Sequence, residues 1–412
     1  MISAQTFVRS AAERGYDFCA GVPCSLLTPL INHVISDADL HYVPATSEGE
    51  AIALSAGAWL AGRQTITMCQ NSGLGNMVNP LTSLNRPFRI PTLLICTWRG
   101  EPGKPDEPQH ELMGRITPGL LALMEIGHEP FPTADDMVGG TLDRAVRAAA
   151  DRRTSALVMA AGSVADMPLS APHAIAPSTG DITDLRESFS GATRLQALTS
   201  FLAWVPDEAA VLVSTGKGGR ELYTLADRDQ HFYQVGSMGC VSAVGLGVAL
   251  NSPRPVVVLD GDGAALMKLG NLATIGAMQP GNLVHIVLDN ASHDSTGGQP
   301  TVSPGVDFAA IAAACGYRTA TRCNTLAGFS KALETLTSSP GPHLVHLRIA
   351  PGSVSGLGRP TISPREVADR FRSWLAAWTG LTGGNSGASS WPGLGPSATY
   401  QSPNCSRRAN PL

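Results

Sequence analysis

Short runs of Val, Ile and Leu alternate with segments of helical period along most of the chain, and few folds accept that alternation. A strand buried on both faces reads as a continuous apolar run, and strands separated by helices pair in parallel, so the pattern points to open parallel sheets covered by helices. Candidate strands in the first half are His41 to Pro44, Thr65 to Cys69, Thr92 to Thr97 and Ala156 to Ala160. In the second half they are Ala210 to Ser214, His231 to Val235, Pro255 to Leu259, Leu283 to Leu288 and His343 to Leu347. Asp166 to Thr179 has no usable period and several turn formers, which marks a linker. The chain has 412 residues, more than one core usually supports. The expectation is α/β, with two doubly wound parallel-sheet domains over 1–165 and 191–380 and a linker over 166–190.

Composition narrows the function classes. Charged residues make up 15 % and apolar residues 43 %, so the chain can bury a large core. A net charge of −4 leaves no basic footprint, and no nucleic-acid partner is expected. No apolar run is long enough to span a bilayer, and the opening Met1-Ile2-Ser3 lacks the charged start of a secretory leader. A soluble, cytoplasmic protein without a membrane partner is expected. Eight cysteines lie scattered without a Cys-x-x-Cys pair, which argues against zinc and disulfides and for reduced, buried thiols. Ser363-Pro364-Arg365-Glu366 is a capping box, and Val367, Phe371, Trp374, Leu375 and Trp378 follow at helical spacing, so a docked helix is predicted there. Beyond Gly380 periodicity stops, and 381–412 is expected to be a disordered tail.

The chemistry concentrates first around Gly261-Asp262-Gly263, which closes an apolar strand, and Asn290, which closes another after 26 intervening residues. Ligands of open parallel sheets bind past the carboxyl ends of the strands, so both side chains would enter one crevice. A carboxylate and an amide oxygen suit Mg²⁺, which keeps substrate phosphate oxygens in its shell. Glycines 261 and 263 would let the backbone approach that phosphate. Taken alone, the tripeptide is better explained as a strand-to-helix turn with Asp262 as a helix N-cap, and Asn290 downstream reverses that preference. Neither Gly-x-Gly-x-x-Gly behind a strand nor Gly-x-x-x-x-Gly-Lys-Ser/Thr occurs, which disfavours a Rossmann dehydrogenase or a P-loop enzyme.

Gly261-Asp262-Gly263 with Asn290 resembles the thiamine diphosphate motif. The resemblance implies that Asp262, Asn290 and the carbonyl of Ser292 hold Mg²⁺ on the cofactor's diphosphate. Val235-Gly236-Ser237-Met238-Gly239 is similar to the segment that props this cofactor from below, with Met238 as the prop and the Gly236 carbonyl accepting from the aminopyrimidine. A Met filling a core gap explains the same residue. In the first half, Ser47-x-x-Glu50 is a capping box that accounts for Glu50, whereas Glu48 could merely complement the helix dipole. The spacing Glu48, Ala51, Gly57 resembles the stretch after the catalytic Glu of thiamine-dependent decarboxylases, which assigns that role to Glu48. Gln70 to Asn76, with Asn71 and Gly73, resembles the glycine-rich turn lining the cofactor interface. The resemblance implies pyrimidine-binding and diphosphate-binding domains without a third between them. It also implies a homodimer or larger homo-oligomer with the cofactor between subunits.

Trp98-Arg99-Gly100-Glu101-Pro102-Gly103, then Asp106-Glu107-Pro108-Gln109-His110, closely resembles a stretch of the phosphonopyruvate decarboxylase family. Gly21-Val22-Pro23, Gly219-Arg220-Glu221-Leu222 and His293 to Thr301 extend the resemblance over residues 1 to about 350. It implies decarboxylation of 3-phosphonopyruvate to phosphonoacetaldehyde in phosphonate, often antibiotic, biosynthesis. Arg99, Lys104, Lys217 and Arg220 are candidates for binding the phosphonate, and His110 and His293 for proton transfer. A solvated or structural role suits each of them as well. Two departures stand out: Cys24 where the family pattern has Asp, and extra glycines between Thr215 and Arg220. The near rival is a sulfopyruvate or other 2-oxo acid decarboxylase. From another class, the rival is a non-catalytic thiamine diphosphate binder or regulatory subunit, which would not need Glu48.

Overall fold

The apolar runs become two parallel sheets in a computed structural model that describes residues 1–170, 178–336 and 338–377. The tail expected over 381–412 and Trp378 lie outside the described residues. The first half holds β1 (Tyr16–Gly21), β2 (His41–Pro44), β3 (Gln64–Cys69), β4 (Leu93–Thr97), β5 (Gly127–Pro130) and β6 (Ser155–Met159) in the order β2-β1-β3-β4-β6-β5. The second half contributes β7 (Asp181–Asp184), β8 (Ala210–Val213), β9 (His231–Tyr233), β10 (Val256–Gly261) and β11 (Leu283–Asp289). A hairpin of β12 (Ser292–His293) and β13 (Gln299–Pro300) follows, then β14 (Thr319–Cys323) and β15 (His343–Arg348). The large sheet runs β7-β14-β15-β11-β10-β8-β9, parallel throughout. Every residue of β4, β8 and β11 is buried, in keeping with their largely apolar runs.

All nine expected strands form within a few residues of their expected limits, and four more join the sheets. β1 carries Asp17, which pairs with Arg63, so its apolar run is interrupted. β5 and β7 are edge strands with largely exposed residues, and β7 lies inside the range expected as linker. β14 alternates polar and apolar residues against β7 and β15.

Two glycines let the halves meet. The helices Glu48–Leu60 and Val241–Ala249 pack so closely that a Cβ on Gly57 would lie 2.9 Å from Gly247 Cα, and one on Gly247 would lie 2.8 Å from the Ala58 nitrogen. One buried core therefore runs from the first sheet's helices into the second sheet. The helix Pro364–Ala376 forms with the expected capping box between Ser363 and Glu366. Its Phe371 ring sits 5.5 Å from Phe232 in the second half, while its Asp369 pairs with Arg152 in the first at 2.5 Å. Among the described residues no helix is long and apolar enough to cross a membrane.

Each sheet has a switch point, where connections leave to opposite sides. In the first it lies between β1 and β3, and in the second between β8 and β10. Crevices for ligands open at the carboxyl ends of such strands.

Candidate active site

A cavity of about 290 Å³ opens at the second switch point, between Thr215, Gly216 and Lys217 after β8 and Asp262 and Gly263 after β10. Asp262 is the first residue of the helix Asp262–Met267, whose N-cap is Gly261, so it is not the N-cap that a simple turn would make it. It is 3 % exposed, and its Oδ2 accepts from Thr301 Oγ1 at 2.5 Å. Burial pushes its carboxyl pKa up, partly countered by the Thr301 hydroxyl. Among the described residues it has no ion-pair partner. A buried carboxylate without a cation is costly, and a bound divalent ion would remove that cost.

Asn290 faces the same cavity. Its Nδ2 donates to Asp294 Oδ2 at 2.7 Å, and because a carboxylate can only accept, the amide oxygen must point the other way. There Oδ1 accepts from the Ser292 backbone N–H at 3.1 Å and keeps a lone pair. Asp294 is itself held by Arg194, which also reaches Glu221 at 3.1 Å. Ala291, with φ 56°, makes the tight bend that returns the chain into the β12–β13 hairpin. One carboxylate and one amide oxygen, with no group of three metal-binding side chains among the described residues, form a set that Mg²⁺ would complete with phosphate oxygens.

Met238 and His293 close the cavity over Gly263, where a Cβ would lie 2.6 Å from His293 Cε1 and 3.3 Å from Met238 Cε. Gly236, Ser237 and Gly239 around Met238 all have positive φ, at 64°, 42° and 90°. Such backbone persists where its surroundings over-determine it. Here Ser237 Oγ donates to Asn79 Oδ1 of the first half at 3.0 Å.

At the first switch point a second cluster forms. Glu48 opens the helix Glu48–Leu60, capped by Ser47, and its carboxylate rests in the space left by the missing side chain of Gly73. Asn76 Nδ2 donates to Glu48 Oε2 at 2.7 Å. The Glu50 carboxylate instead turns back to Thr46, accepting from its backbone N–H and hydroxyl at 2.6 Å. Beyond β1, Cys24 Sγ donates to Gln70 Oε1 at 3.2 Å, and Gln70 lies 3.4 Å from His110 Nε2. His110 Nδ1 meets Asp106 Oδ1 at 2.9 Å. Asp106 also takes both ends of the Arg99 guanidinium, at 2.6 and 2.8 Å, and the Gly100 N–H at 2.7 Å. That fork holds the Asp106 carboxyl far below the ordinary carboxylate range.

Two family models match the halves separately: the thiamine pyrophosphate enzyme N-terminal TPP binding domain over residues 1–117, and its C-terminal TPP binding domain over 219–347. A phosphonopyruvate decarboxylase of Streptomyces viridochromogenes is 53 % identical over 382 residues, 91 % of this chain and 95 % of that one. The chain belongs to the phosphonopyruvate decarboxylase family. A sulfopyruvate decarboxylase of Methanosarcina acetivorans is 31 % identical over 88 % of this chain and 95 % of its own. Among solved structures, a 4-hydroxybenzoylformate decarboxylase of Rhodococcus jostii superposes with a TM-score of 0.67 at 14 % identity, covering 86 % of this chain and 100 % of its own, which bears on the fold alone.

For a phosphonopyruvate decarboxylase family member, the expected site residues fall into two groups. Gly236, Met238, Gly261, Asp262, Gly263, Asn290, Ser292, His293 and Lys217 gather at the second switch point, most of them lining its cavity. Glu48, Asn71, Gly73, Arg99 and His110 gather at the first, and none of them lines that cavity. Asn71 spends its amide on Arg99 and Thr117 and so braces the loop after β4. Arg220 donates to the carbonyls of Leu357 and Gly358, and Lys104 sits on an exposed loop. Sequence reasoning missed Asp106 as the clamp on Arg99 and His110, and missed Thr301, Asp294 and Arg194 as supports of Asp262 and Asn290. Only the four-residue steps from Asp106 to His110 and from Asn290 to Asp294 signalled any of these pairings.

Proposed function

We propose that this protein decarboxylates 3-phosphonopyruvate to phosphonoacetaldehyde and CO₂, using thiamine diphosphate and Mg²⁺. The observation that carries the reading is the pairing of Asp262 and Asn290 in one cavity of a chain 53 % identical to a phosphonopyruvate decarboxylase over nearly its whole length. Bound there, the cofactor would supply the electron sink that carbon–carbon cleavage needs. Asp262, Asn290 Oδ1 and the Ser292 carbonyl would hold the metal, and the paired carboxylate would lose its desolvation cost. Met238, on its strained turn, would support the cofactor from below, and the Gly236 carbonyl, which accepts from Gln234 Nε2 at 3.3 Å, keeps a second lone pair to accept from it.

Glu48 would hold and release a proton at Oε1, since Oε2 is occupied by Asn76. His110 is oriented through Nδ1 by Asp106, which leaves Nε2, beside Gln70, as the atom able to exchange a proton with substrate. Cys24 is packed into that same chain of contacts. Lining of the cofactor cavity by the second half alone supports a homo-oligomer in which Glu48 of one subunit completes the site of another. The seven described cysteines are free thiols, which supports residence in a reducing cytoplasm. A role of the product in phosphonate, and often antibiotic, biosynthesis is part of the same proposal, supported by the likeness to phosphonopyruvate decarboxylases. The cradle at Gly73 favours an enzyme over a passive binder, because binding alone needs no notch shaped to Glu48.

Glu48→Gln tests the assignment. Turnover should be abolished while thiamine diphosphate binding, followed by equilibrium dialysis, persists; wild-type turnover in that variant would refute it.

A further inference from the structure

A second cavity of about 440 Å³ adjoins the cofactor cavity, sharing with it Ser214, Thr215, Gly216, Lys217 and Ser295. Its wall carries three cations, Lys217, Arg220 and Arg359, and no carboxylate. In a chain with net charge −4 and 15 % charged residues, three cations without an acid form an unusual wall. Glu221, on the same helix as Lys217, is buried and faces Arg194 instead.

Arg359 reaches this wall from the segment after β15. That segment is pinned on both sides of it: Arg220 donates to the Leu357 carbonyl at 2.8 Å and the Gly358 carbonyl at 3.2 Å, and Thr361 Oγ1 meets the Tyr223 hydroxyl at 3.3 Å. The Leu357 side chain is buried beneath it. Arg359 itself is exposed and has neither a hydrogen bond nor an ion pair among the described residues, and Lys217 likewise has no ion pair. Arg99 differs: its fork is neutralised by Asp106. Lys104 lies on the exposed loop that follows.

We propose that this annex is the subsite for the doubly charged tetrahedral anion of the substrate, and that Arg359 with Lys217 selects for its charge. The proposal rests on the function reading above and deepens it. A 2-oxo acid whose reacting carbons lie in the first cavity would place a phosphonate one carbon further on in the second. Arg220 fixes the segment and adds to the field, while Arg359 and Lys217 have donors left for oxyanions. Coulomb attraction scales with the product of the charges, so a dianion gains about twice what a sulfonate monoanion gains in the same field.

The test titrates methylphosphonate into holoenzyme, with thiamine diphosphate and Mg²⁺ saturating, and compares wild type with Arg359→Gln and Arg359→Lys. Arg359→Gln should weaken methylphosphonate binding and raise KM for phosphonopyruvate about 10- to 100-fold, the usual effect of losing one charge-assisted bond. Sulfopyruvate should suffer by about 3- to 10-fold, the square root of that factor. Arg359→Lys should restore most of the loss, and thiamine diphosphate affinity should not change. Unchanged methylphosphonate binding in Arg359→Gln would overturn the proposal. So would a matching fall in thiamine diphosphate affinity, which would show that the cations hold the diphosphate. If methylphosphonate binding depends on Arg359 but wild type leaves phosphonopyruvate intact, the subsite stands and the function reading fails.

Discussion

Replacing Gly73 by Ala should disable the protein without unfolding it. Gly73 has φ −79° and ψ −9°, which any residue adopts, so the added methyl group brings no backbone strain. It does bring a collision: the new Cβ would lie 2.5 Å from Glu48 Cγ and closer still to the carboxyl group. Two carbons rest about 3.5 Å apart at closest comfort, so the Glu48 side chain has to retreat by roughly 1 Å. A misplacement of that size at a reacting group costs on the order of 100-fold in rate. Gly75, two residues on, is the control, because a Cβ there meets nothing within 4 Å. The assay is kcat for CO₂ release at saturating substrate and cofactor, with thermal melting of each variant. Gly73→Ala should lose about 100-fold in kcat, Gly75→Ala should lose little, and both should melt near wild type. Wild-type kcat in Gly73→Ala would refute the placement of Glu48 as the working carboxylate.

Three further outcomes follow from the geometry. Asn76→Ala removes the 2.7 Å donor to Glu48 Oε2 and should lower kcat about 10- to 100-fold with little change in cofactor affinity, as steady-state kinetics and dialysis would reveal. Asp262→Asn removes a carboxylate whose charging is opposed by burial, so the apo protein should melt at or above the wild-type temperature while the rise in Tm on adding thiamine diphosphate and Mg²⁺ disappears. His231, fully buried, has its pKa lowered to about 4, first by desolvation and then by Arg228. The unfolded chain therefore binds the extra proton first, and the stability this residue contributes is complete above pH 6.5 and lost as pH falls towards 4. The loss amounts to about 3 kcal/mol. Urea melts across that range should be flatter with pH for His231→Phe than for wild type, and parallel curves would count against it.

The parts of the fold that could be read in advance are those whose burial demands a simple pattern. β8, β10 and β11 are buried runs of Val, Leu and Ile, and Ser363 to Glu366 is a self-contained cap, so local sequence sufficed. β1 carries Asp17, whose partner Arg63 lies 46 residues on, and β7 is a short, exposed edge strand with aspartates at both ends and no apolar run, so no local rule finds such strands. The cofactor cavity was similarly legible: the motif residues follow two strands that end side by side, so Asp262 and Asn290 had to meet. Charged residues of the substrate loops were not. Arg99 looked free in sequence, but Asp106 folds back across a Gly/Pro-rich turn to occupy its fork. Arg220 looked like an anion ligand and instead holds a distant carbonyl pair, bringing Arg359 to a place that its own neighbourhood in the sequence does not indicate.

The central claim concerns the substrate, and one paired measurement addresses it. With thiamine diphosphate and Mg²⁺ present, kcat/KM should be measured side by side for 3-phosphonopyruvate and sulfopyruvate, with phosphorus NMR identifying the product of the first. The account predicts phosphonoacetaldehyde and a higher kcat/KM for phosphonopyruvate; faster turnover of sulfopyruvate, or no phosphonoacetaldehyde, would contradict it.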